Sequence, residues 1–465
     1  MRLLEKVGLV GLGLVAGASL SLHFAAVADK ETLATPLPVE ELRAFSEVFG
    51  RIKSDYVEPV TDKKLITEAI TGMLNGLDPH SAYLDADAFK ELQVGTHGEF
   101  GGLGIEVGME DGVVKVISPI EDTPAYHAGI KSGDFIIKLD DTLIKGMSLN
   151  DAVKRMRGKP GSKIVLTIIR KDEPKPLEIT LVRAVIKVQS VKSKLLESGY
   201  GFVRITQFQE QTGENLATAL ANLIKQNQGP LKGLVLDLRN DPGGLLTGAV
   251  GVSSAFLAKN ELVVYTEGRT EDAKMHLTAN PENYLRGTGT SDYLKNLPDS
   301  IKSVPLIVLV NSGSASASEI VAGALQDHKR AVIMGTQTFG KGSVQTVLPL
   351  GNNTAIKLTT ARYYTPSGRS IQAKGIVPDI LVDDPASAGR ENSVFRLREA
   401  DLDKHLINDR PSDQKSGGEI KSAPTPQSSK EDTSKFTPTE FGSKSDYQLN
   451  QALNLLKGMQ ILQGK

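Results

Sequence analysis

The residues best placed by type and spacing to do chemistry lie in one short run, Asn311-Ser312-Gly313-Ser314-Ala315-Ser316-Ala317-Ser318-Glu319-Ile320. The run follows an apolar stretch that reads as a buried strand. It precedes a segment whose apolar residues, Ile320, Val321, Ala324 and Leu325, recur at helical spacing. Small residues at such a turn let a substrate backbone approach closely. A hydroxyl at a helix N-terminus meets backbone N–H groups and a dipole that favour negative charge. The same spacing has a purely structural reading, because Ser316 and Glu319 form an S-x-x-E capping box. Four serines in the run also leave the nucleophile ambiguous.

A second run, Gly335-Thr336-Gln337-Thr338-Phe339-Gly340-Lys341-Gly342-Ser343-Val344-Gln345, sets a lysine between two glycines. A phosphate-binding loop is excluded, because Gly342 separates Lys341 from Ser343 and breaks the G-K-[ST] element. Glycines on both sides allow backbone to pack tightly around an amine. Burial disfavours the charged form of lysine, and a neutral amine can take a proton from serine. Gln345 could orient that amine by hydrogen bonding without adding charge.

A third run, Asp237-Leu238-Arg239-Asn240-Asp241-Pro242-Gly243-Gly244, carries a strand into a glycine turn. Such a turn can aim N–H groups at a developing oxyanion, worth roughly 3 kcal/mol per donor; it can equally be a plain tight turn. A Ser-His-Asp triad needs a histidine, and His328 is the nearest in sequence. Twelve helical residues would carry it about 18 Å along the axis from Ser316, so it reads as a surface residue. No H-E-x-x-H or similar metal spacing occurs.

These runs need a scaffold. Residues 36–95 read as helical, and Val39, Leu42, Phe45, Val48 and Ile52 form an apolar stripe. Residues 76–81 form a turn by their Gly and Asp-Pro content. From 96 to 184 short strands alternate with two short helices. From 185 to 384 apolar strands alternate with helical stretches, and the runs Leu234–Leu238 and Pro305–Val310 suit central strands covered on both faces. That pattern predicts a layered α/β core. Residues 385–408 include a helix candidate, Val394–Ile407. Residues 409–445 are polar and Pro- and Ser-rich, the composition of a disordered linker. A last helix within 446–465 presents Leu449, Leu453, Leu456 and Met459, and would dock on its own core or on a second copy.

The chain has 465 residues, enough for about three domains at ~150 each. Its 54 Lys+Arg against 55 Asp+Glu leave no basic excess for binding phosphates. Absence of Trp and few aromatics argue against base-stacking surfaces. Absence of Cys excludes disulfides, thiolate metal sites and a cysteine nucleophile. At the N-terminus a short basic start leads into an uncharged run, Val7–Leu22, and then Ala26-Val27-Ala28. This is the layout of a secretory signal over residues 1–28, with an uncleaved anchor as the alternative. Either outcome exports the rest of the chain.

Taken together, GLDPHSAYL at 76–84, GGLGIEV at 101–107, LDLRNDPGGLL at 236–246, GSASASEI at 313–320, TFGKGSVQ at 338–345 and YYTPSGRSIQAKGIVPDI at 363–380 resemble the carboxyl-terminal processing (tail-specific) proteases. The resemblance implies a serine peptidase with Ser316 as nucleophile, Lys341 as general base and Gln345 as its partner. It implies oxyanion donors at the N–H groups of Gly244 and Ala317. It also implies that 96–184 is a PDZ domain inserted before the protease core, its Leu103, Gly104 and Ile105 backbone holding a substrate C-terminus. Arg157 is a candidate for coupling that domain to the active site, against a solvated helix end.

The function expected is therefore an exported serine endopeptidase, most simply in a bacterial periplasm and with inner-membrane anchoring as an option. Its substrates would be proteins or peptides with exposed apolar C-termini. It would need no metal or other cofactor and bind no nucleic acid; an adaptor protein and homo-oligomerisation are further expectations. The competing readings are a PDZ-bearing periplasmic scaffold or adaptor with an inactive hydrolase domain, and a histidine-dependent serine protease.

Overall fold

The computed structural model describes residues 38–110, 112–120, 122–171, 173–187, 189–287, 290–383, 398–410 and 441–462. The expected signal segment 1–28, most of the expected linker and part of the helix candidate 394–407 lie outside the described residues. Contacts divide the chain into two units, residues 1–70 and 71–465. In the first, α1 (Val39–Asp55) and the start of α2 (Asp62–Asn75) are helical, as the apolar spacing predicts. The helix α1 buries no residue, and Val39, Leu42, Phe45, Val48 and Ile52 remain exposed along it.

The second unit opens with the expected turn. Asp78 Oδ1 accepts the N–H groups of His80 (2.8 Å) and Ser81 (2.9 Å). Strand β1 (Ala82–Leu84) follows, then α3 (Ala86–His97), capped by Asp85, whose carboxylate accepts the Ala88 N–H at 2.8 Å. Strand β2 (Glu99–Gly102) then leads into a separate antiparallel sheet. Its elements are β3 (Ile105–Glu110), β4 (Val113–Pro119), α4 (Pro124–His127), β5 (Phe135–Leu139), β6 (Thr142–Leu143), α5 (Leu149–Met156), β7 (Lys163–Ile169) and β8 (Leu177–Val182). The strand order is β3-β4-β5-β7-β8, with β6 paired to β5. Val114, Val116, Ile136, Leu139, Ala152, Leu166 and Ile168 fill a core of its own. The chain leaves through β9 (Ala184–Lys187), which pairs antiparallel with β2. Entry and exit are thus adjacent, as an inserted domain requires.

The third part is the layered α/β core. In chain order it contains β10 (Val191–Glu197), β11 (Tyr200–Ile205), α6 (Thr212–Asn227), β12 (Gly233–Asp237), α7 (Leu246–Ser254), β13 (Leu262–Gly268), β14 (His276–Thr278), α8 (Pro281–Tyr284), α9 (Ser300–Ser303), β15 (Leu306–Val310), α10 (Ala317–Asp327), β16 (Val332–Gly335), β17 (Ser343–Pro349), β18 (Ala355–Tyr364), β19 (Ile380–Leu381) and α11 (Tyr447–Leu462). The main sheet runs β10-β11-β12-β15-β16-β19, parallel from β11 onward. A second sheet runs β1-β18-β13-β14, with β17 paired to β18.

The two apolar runs are β12 and β15, and every residue in both is buried. Alternation assigns their side chains to opposite faces. Leu234, Leu236, Val308 and Val310 pack with Leu216 and Leu220 of α6, Val250 of α7 and Val321 of α10. Val235, Ile307 and Leu309 pack on the other side with Leu449, Ala452, Leu453 and Leu456 of α11. Of the two fates open to the last helix, docking on its own core is the one seen.

The helix expected at 394–407 is not formed over its described part. Residues 398–407 contain only a three-residue 3-10 turn, Glu399–Asp401. Polar groups here are engaged by tertiary partners instead of an i→i−4 ladder: Glu399 N–H donates to Phe339 O at 3.1 Å and Arg398 Nη2 to Lys374 O at 2.9 Å.

Because α11 covers a whole sheet face, Leu456→Ala is expected to destabilise the protein by about 2–5 kcal/mol. Ile461→Ala on its exposed end should change stability by less than about 0.5 kcal/mol. Urea unfolding of the two variants measures the difference.

Candidate active site

Parallel strands β12, β15 and β16 end on the same edge, and the three motif runs leave from those carboxyl ends. This is where open α/β sheets place their ligands. Side chains and backbone lace the first two loops together. Asn240 N–H donates to Asn311 Oδ1 and Asn311 Nδ2 to Asn240 Oδ1, both at 2.9 Å. Ser314 Oγ donates to Leu238 O at 2.8 Å, Ala315 N–H to Asp241 O at 3.0 Å, and Ser318 Oγ to Asp241 O at 3.0 Å. Three of the four serines thereby separate: Ser314 and Ser318 are buried and bonded to backbone, while Ser316 is only partly buried.

Ser316 stands at the N-cap of α10 with φ +55° and ψ −112°. A non-glycine residue there is strained and persists only where its surroundings over-determine it. One surrounding group is Glu319. Its carboxylate is fully buried and accepts four hydrogen bonds. Oε2 takes the N–H of Ser316 (2.8 Å) and of Lys341 (2.9 Å). Oε1 takes Thr338 Oγ1 (2.6 Å) and the N–H of Gly340 (2.7 Å). Burial pushes this carboxyl up to about 7, against the pull of those four donors. The capping residue and the lysine loop are therefore one assembly, and a single oxygen atom links the backbones of Ser316 and Lys341.

Lys341 is partly buried. Burial is the largest influence on it and lowers its proton affinity; Lys357 adds to that effect, and Glu399, Glu319 and Asp78 oppose it. The Tyr363 phenol, fully buried, donates to the Lys341 carbonyl. Among the described residues no hydrogen bond joins Ser316 Oγ to the Lys341 amine. Gln345 Nε2 donates instead to Ser343 Oγ (3.0 Å) and Thr359 Oγ1 (3.2 Å), not to that amine. A bulge in β17 between Val344 and Gln345 accompanies this placement.

The glycine turn lies directly against Ser316. A Cβ on Gly243 would fall 2.8 Å from both Ser316 Cβ and Ala317 N, and Gly243 has φ +94°. Phe208 holds the turn from behind, accepting Leu245 N–H at 2.8 Å and donating to Gly243 O at 2.9 Å. The N–H groups of Gly244 and Ala317 donate to no group among the described residues. Asp241 Oδ1 accepts Gly243 N–H at 2.9 Å, while its Oδ2 is buried without a partner among them. Burial pushes the Asp241 carboxyl up to about 7. At the start of the loop, Arg239 is clamped between Asp237 Oδ2 (2.8 Å) and Asp446 Oδ2 (2.6 Å), and its Nη1 reaches Gln448 Oε1 at 2.9 Å. The helix α11 is thereby tied to the same loop.

His328 differs from expectation. It is half-buried where α10 meets β13, its Nε2 lying 2.7 Å from Leu262 O and its Nδ1 3.4 Å from Glu261. It caps the far end of the helix that Ser316 begins. The inserted domain holds Leu103, Gly104 and Ile105 at the entry to β3. Gly104 has φ +77°, and a Cβ there would lie 2.2 Å from Thr123 Cβ. Its carbonyl accepts Ile120 N–H at 2.8 Å and Thr123 Oγ1 at 3.1 Å. The Leu103 and Gly104 N–H groups donate to nothing among the described residues. Arg157 is not a solvated helix end: its guanidinium lies over the Phe100 ring at 4.8 Å and its Nε is buried.

Sequence reasoning treated Glu319 as a cap alone and passed over Asp241, Tyr363 and Glu399. Glu319 could have been suspected as a carboxylate amid small and apolar residues. Glu399 carries no local signal, since its side-chain partners Gln372 and His80 lie 27 and 319 positions away.

Because Asp241 holds its proton more tightly folded than unfolded, ionising it costs stability, and the cost appears as pH rises from about 4 through about 7. Asp241→Asn keeps the acceptor for Gly243 and removes that cost. Its stability relative to wild type should rise over this range, on the order of 4 kcal/mol at full ionisation, as read by urea unfolding at pH 4 and pH 8.

Peptidase family S41 matches residues 199–382, a PDZ domain matches 101–181, and the N-terminal domain of the activating protease CtpB matches 18–88. A carboxy-terminal-processing protease of Bartonella bacilliformis is 47% identical over 420 residues, 90% of this chain and 89% of that protein. The carboxy-terminal processing protease CtpA of Bacillus subtilis is 35% identical, over 73% of this chain and 68% of its own length. Among solved structures, a photosystem II D1 C-terminal processing protease is 31% identical with a TM-score of 0.41, covering 76% of this chain and 92% of that one. The chain belongs to peptidase family S41, as a serine-type peptidase of the carboxy-terminal processing group that carries a PDZ domain.

Proposed function

We propose that this protein is an exported endopeptidase that captures protein C-termini on its PDZ domain and cuts the same chains with a Ser316/Lys341 dyad. The observation that carries this reading is the pair of backbones held on one Glu319 oxygen, with the Lys341 amine depressed by burial. In turnover the Ser316 hydroxyl turns to the Lys341 amine. Catalytic hydrogen bonds commonly tighten only with substrate bound. The neutral Lys341 amine takes the Ser316 proton as Oγ bonds to the scissile carbonyl carbon. The N–H groups of Gly244 and Ala317 receive the oxyanion. The Lys341 ammonium returns its proton to the departing amine, leaving an acyl ester on Ser316. Water attacks that ester, passes a proton to Lys341, and the acid leaves as Oγ is reprotonated. Gln345 would steady the amine after a side-chain rotation from Ser343 and Thr359.

The free N–H groups of Leu103 and Gly104, with Ile105 opening a strand for β-addition, suit a terminal carboxylate. Leu103, Ile105, Val107 and Val153 supply an apolar setting for the last side chains. Arg157, between that domain and β2, is the proposed coupling residue. The apolar N-terminal run supports export, to a periplasm and with anchoring as an option. No helix among the described residues is long and apolar enough to cross a membrane. The uncovered stripe of α1 is a candidate self-association face, and an adaptor would bring substrates to the same PDZ site.

The test incubates the full chain with an unfolded protein ending in apolar residues, and with the same protein ending in two aspartates, reading fragments by mass spectrometry. Cleavage of the first should exceed that of the second. Ser316→Ala, Lys341→Ala and the double variant should each lose at least about 10³-fold, by equal amounts because the pair acts as a unit. An active Lys341→Ala enzyme would refute the dyad.

Glu319→Gln tests the clamp. The amide nitrogen cannot accept from Ser316 and Lys341, and a charge-assisted bond is worth about 1.5–3 kcal/mol. A loss of about 10²-fold or more in kcat is expected, with C-terminal peptide binding unchanged by titration calorimetry.

A further inference from the structure

The loop carrying Lys341 has a second polar flank. Opposite Glu319 lie Glu399 and Gln372, both fully buried. Glu399 N–H donates to Phe339 O at 3.1 Å, and Gly342 N–H donates to Gln372 Oε1 at 2.9 Å. Gln372 Nε2 then donates to Glu399 Oε1 at 2.9 Å, and His80 Nε2 lies 2.8 Å from Glu399 Oε2. Three distant parts of the chain thus meet on one carboxylate: the turn before β1, the stretch after β18, and the segment 398–410. Glu399 lies outside the S41 match, which ends at residue 382.

We propose that Glu399, held by His80 and Gln372, is the counter-charge that sets the proton affinity of the Lys341 amine, so that segment 398–410 completes the active site. The proposal rests on the dyad reading above. A buried carboxylate is costly unless hydrogen-bonded. Burial pushes Glu399 up, but the bonds from His80 and Gln372, together with the positive fields of His80 and Lys341, hold it below the usual carboxylate range. It is therefore a fixed negative charge, unlike Glu319, which burial carries to about 7. The charged groups that act on the Lys341 amine are Lys357 of β18, Glu399, Glu319 of α10 and Asp78 of the early turn; Tyr363 of β18 donates to the Lys341 carbonyl. Burial and Lys357 both lower the amine's proton affinity. Pushed too far, an amine stays neutral but becomes a weak base. Glu399 opposes that fall. It acts through Lys341 and is a positioning residue, not a catalytic one.

The test compares pH profiles of kcat/KM for the full-length wild type, Glu399→Gln and Glu399→Asp. Loss of the negative charge lowers the amine's proton affinity, so the acid limb of Glu399→Gln should move about one unit to lower pH, the size expected for a nearby charge. Glu399→Asp keeps the charge and should hold the limb near its wild-type position. A limb that stays put or moves to higher pH in a folded Glu399→Gln enzyme overturns the proposal, whatever happens to kcat. Should Glu399→Gln not fold, His80→Leu removes the donor that keeps Glu399 ionised. The same downward movement is expected there, and an unmoved limb overturns the proposal equally. Competitive acetylation of the Lys341 amine across pH, read by mass spectrometry, follows that proton directly. It should show the same shift even where turnover is lost. This separates the two ideas: an active Lys341→Ala enzyme sinks the dyad, whereas an unshifted labelling profile sinks the role of Glu399.

Discussion

A single buried carboxylate organises this molecule's reactive edge. Glu319 is one side chain with four donors, and those donors come from two loops that leave neighbouring parallel strands. Withdrawing a carboxylate from water is expensive, and only a full set of hydrogen bonds makes the burial tolerable. That requirement works in reverse as a constraint. The loops must adopt the one geometry that satisfies the carboxylate, and this geometry fixes the strained backbone of Ser316 beside the loop of Lys341. A feature that looks locally like a helix cap is therefore a tertiary clamp.

The sheet beneath explains why the clamp can be rigid. Both β12 and β15 are buried on two faces, one covered by α6, α7 and α10 and the other by α11. Loops that emerge from such strands start from fixed points. The Arg239 lattice extends the same logic to the last helix, since Asp446 anchors α11 to the loop that carries the glycine turn. A helix distant in sequence thus bears on the position of two backbone N–H groups. The inserted domain is built differently. It has its own core and joins through the β2–β9 ribbon.

Much of this was legible in the residues. Continuous apolar runs announced the central strands, and helical spacing announced α1, α5, α6, α10 and α11. The glycine turn, the serine run and the glycine-flanked lysine were each visible with a stated chemical use. The segment 394–407 misled because apolar spacing cannot reveal that polar groups will be claimed by tertiary partners. His328 misled for a related reason: its place at the end of a helix says nothing about the strand that packs there.

The sequence by itself determined the elements and the chemistry available to them, because hydrophobic periodicity, turn residues and side-chain type are local properties. Tertiary structure alone decided which groups meet. Gln345 bonds Ser343 and Thr359 in this state, Tyr363 holds the Lys341 carbonyl, and Glu399 reaches His80 across more than 300 residues. Such meetings depend on how layers close on one another and on which buried charges must be satisfied, and neither is written in the spacing of any one segment.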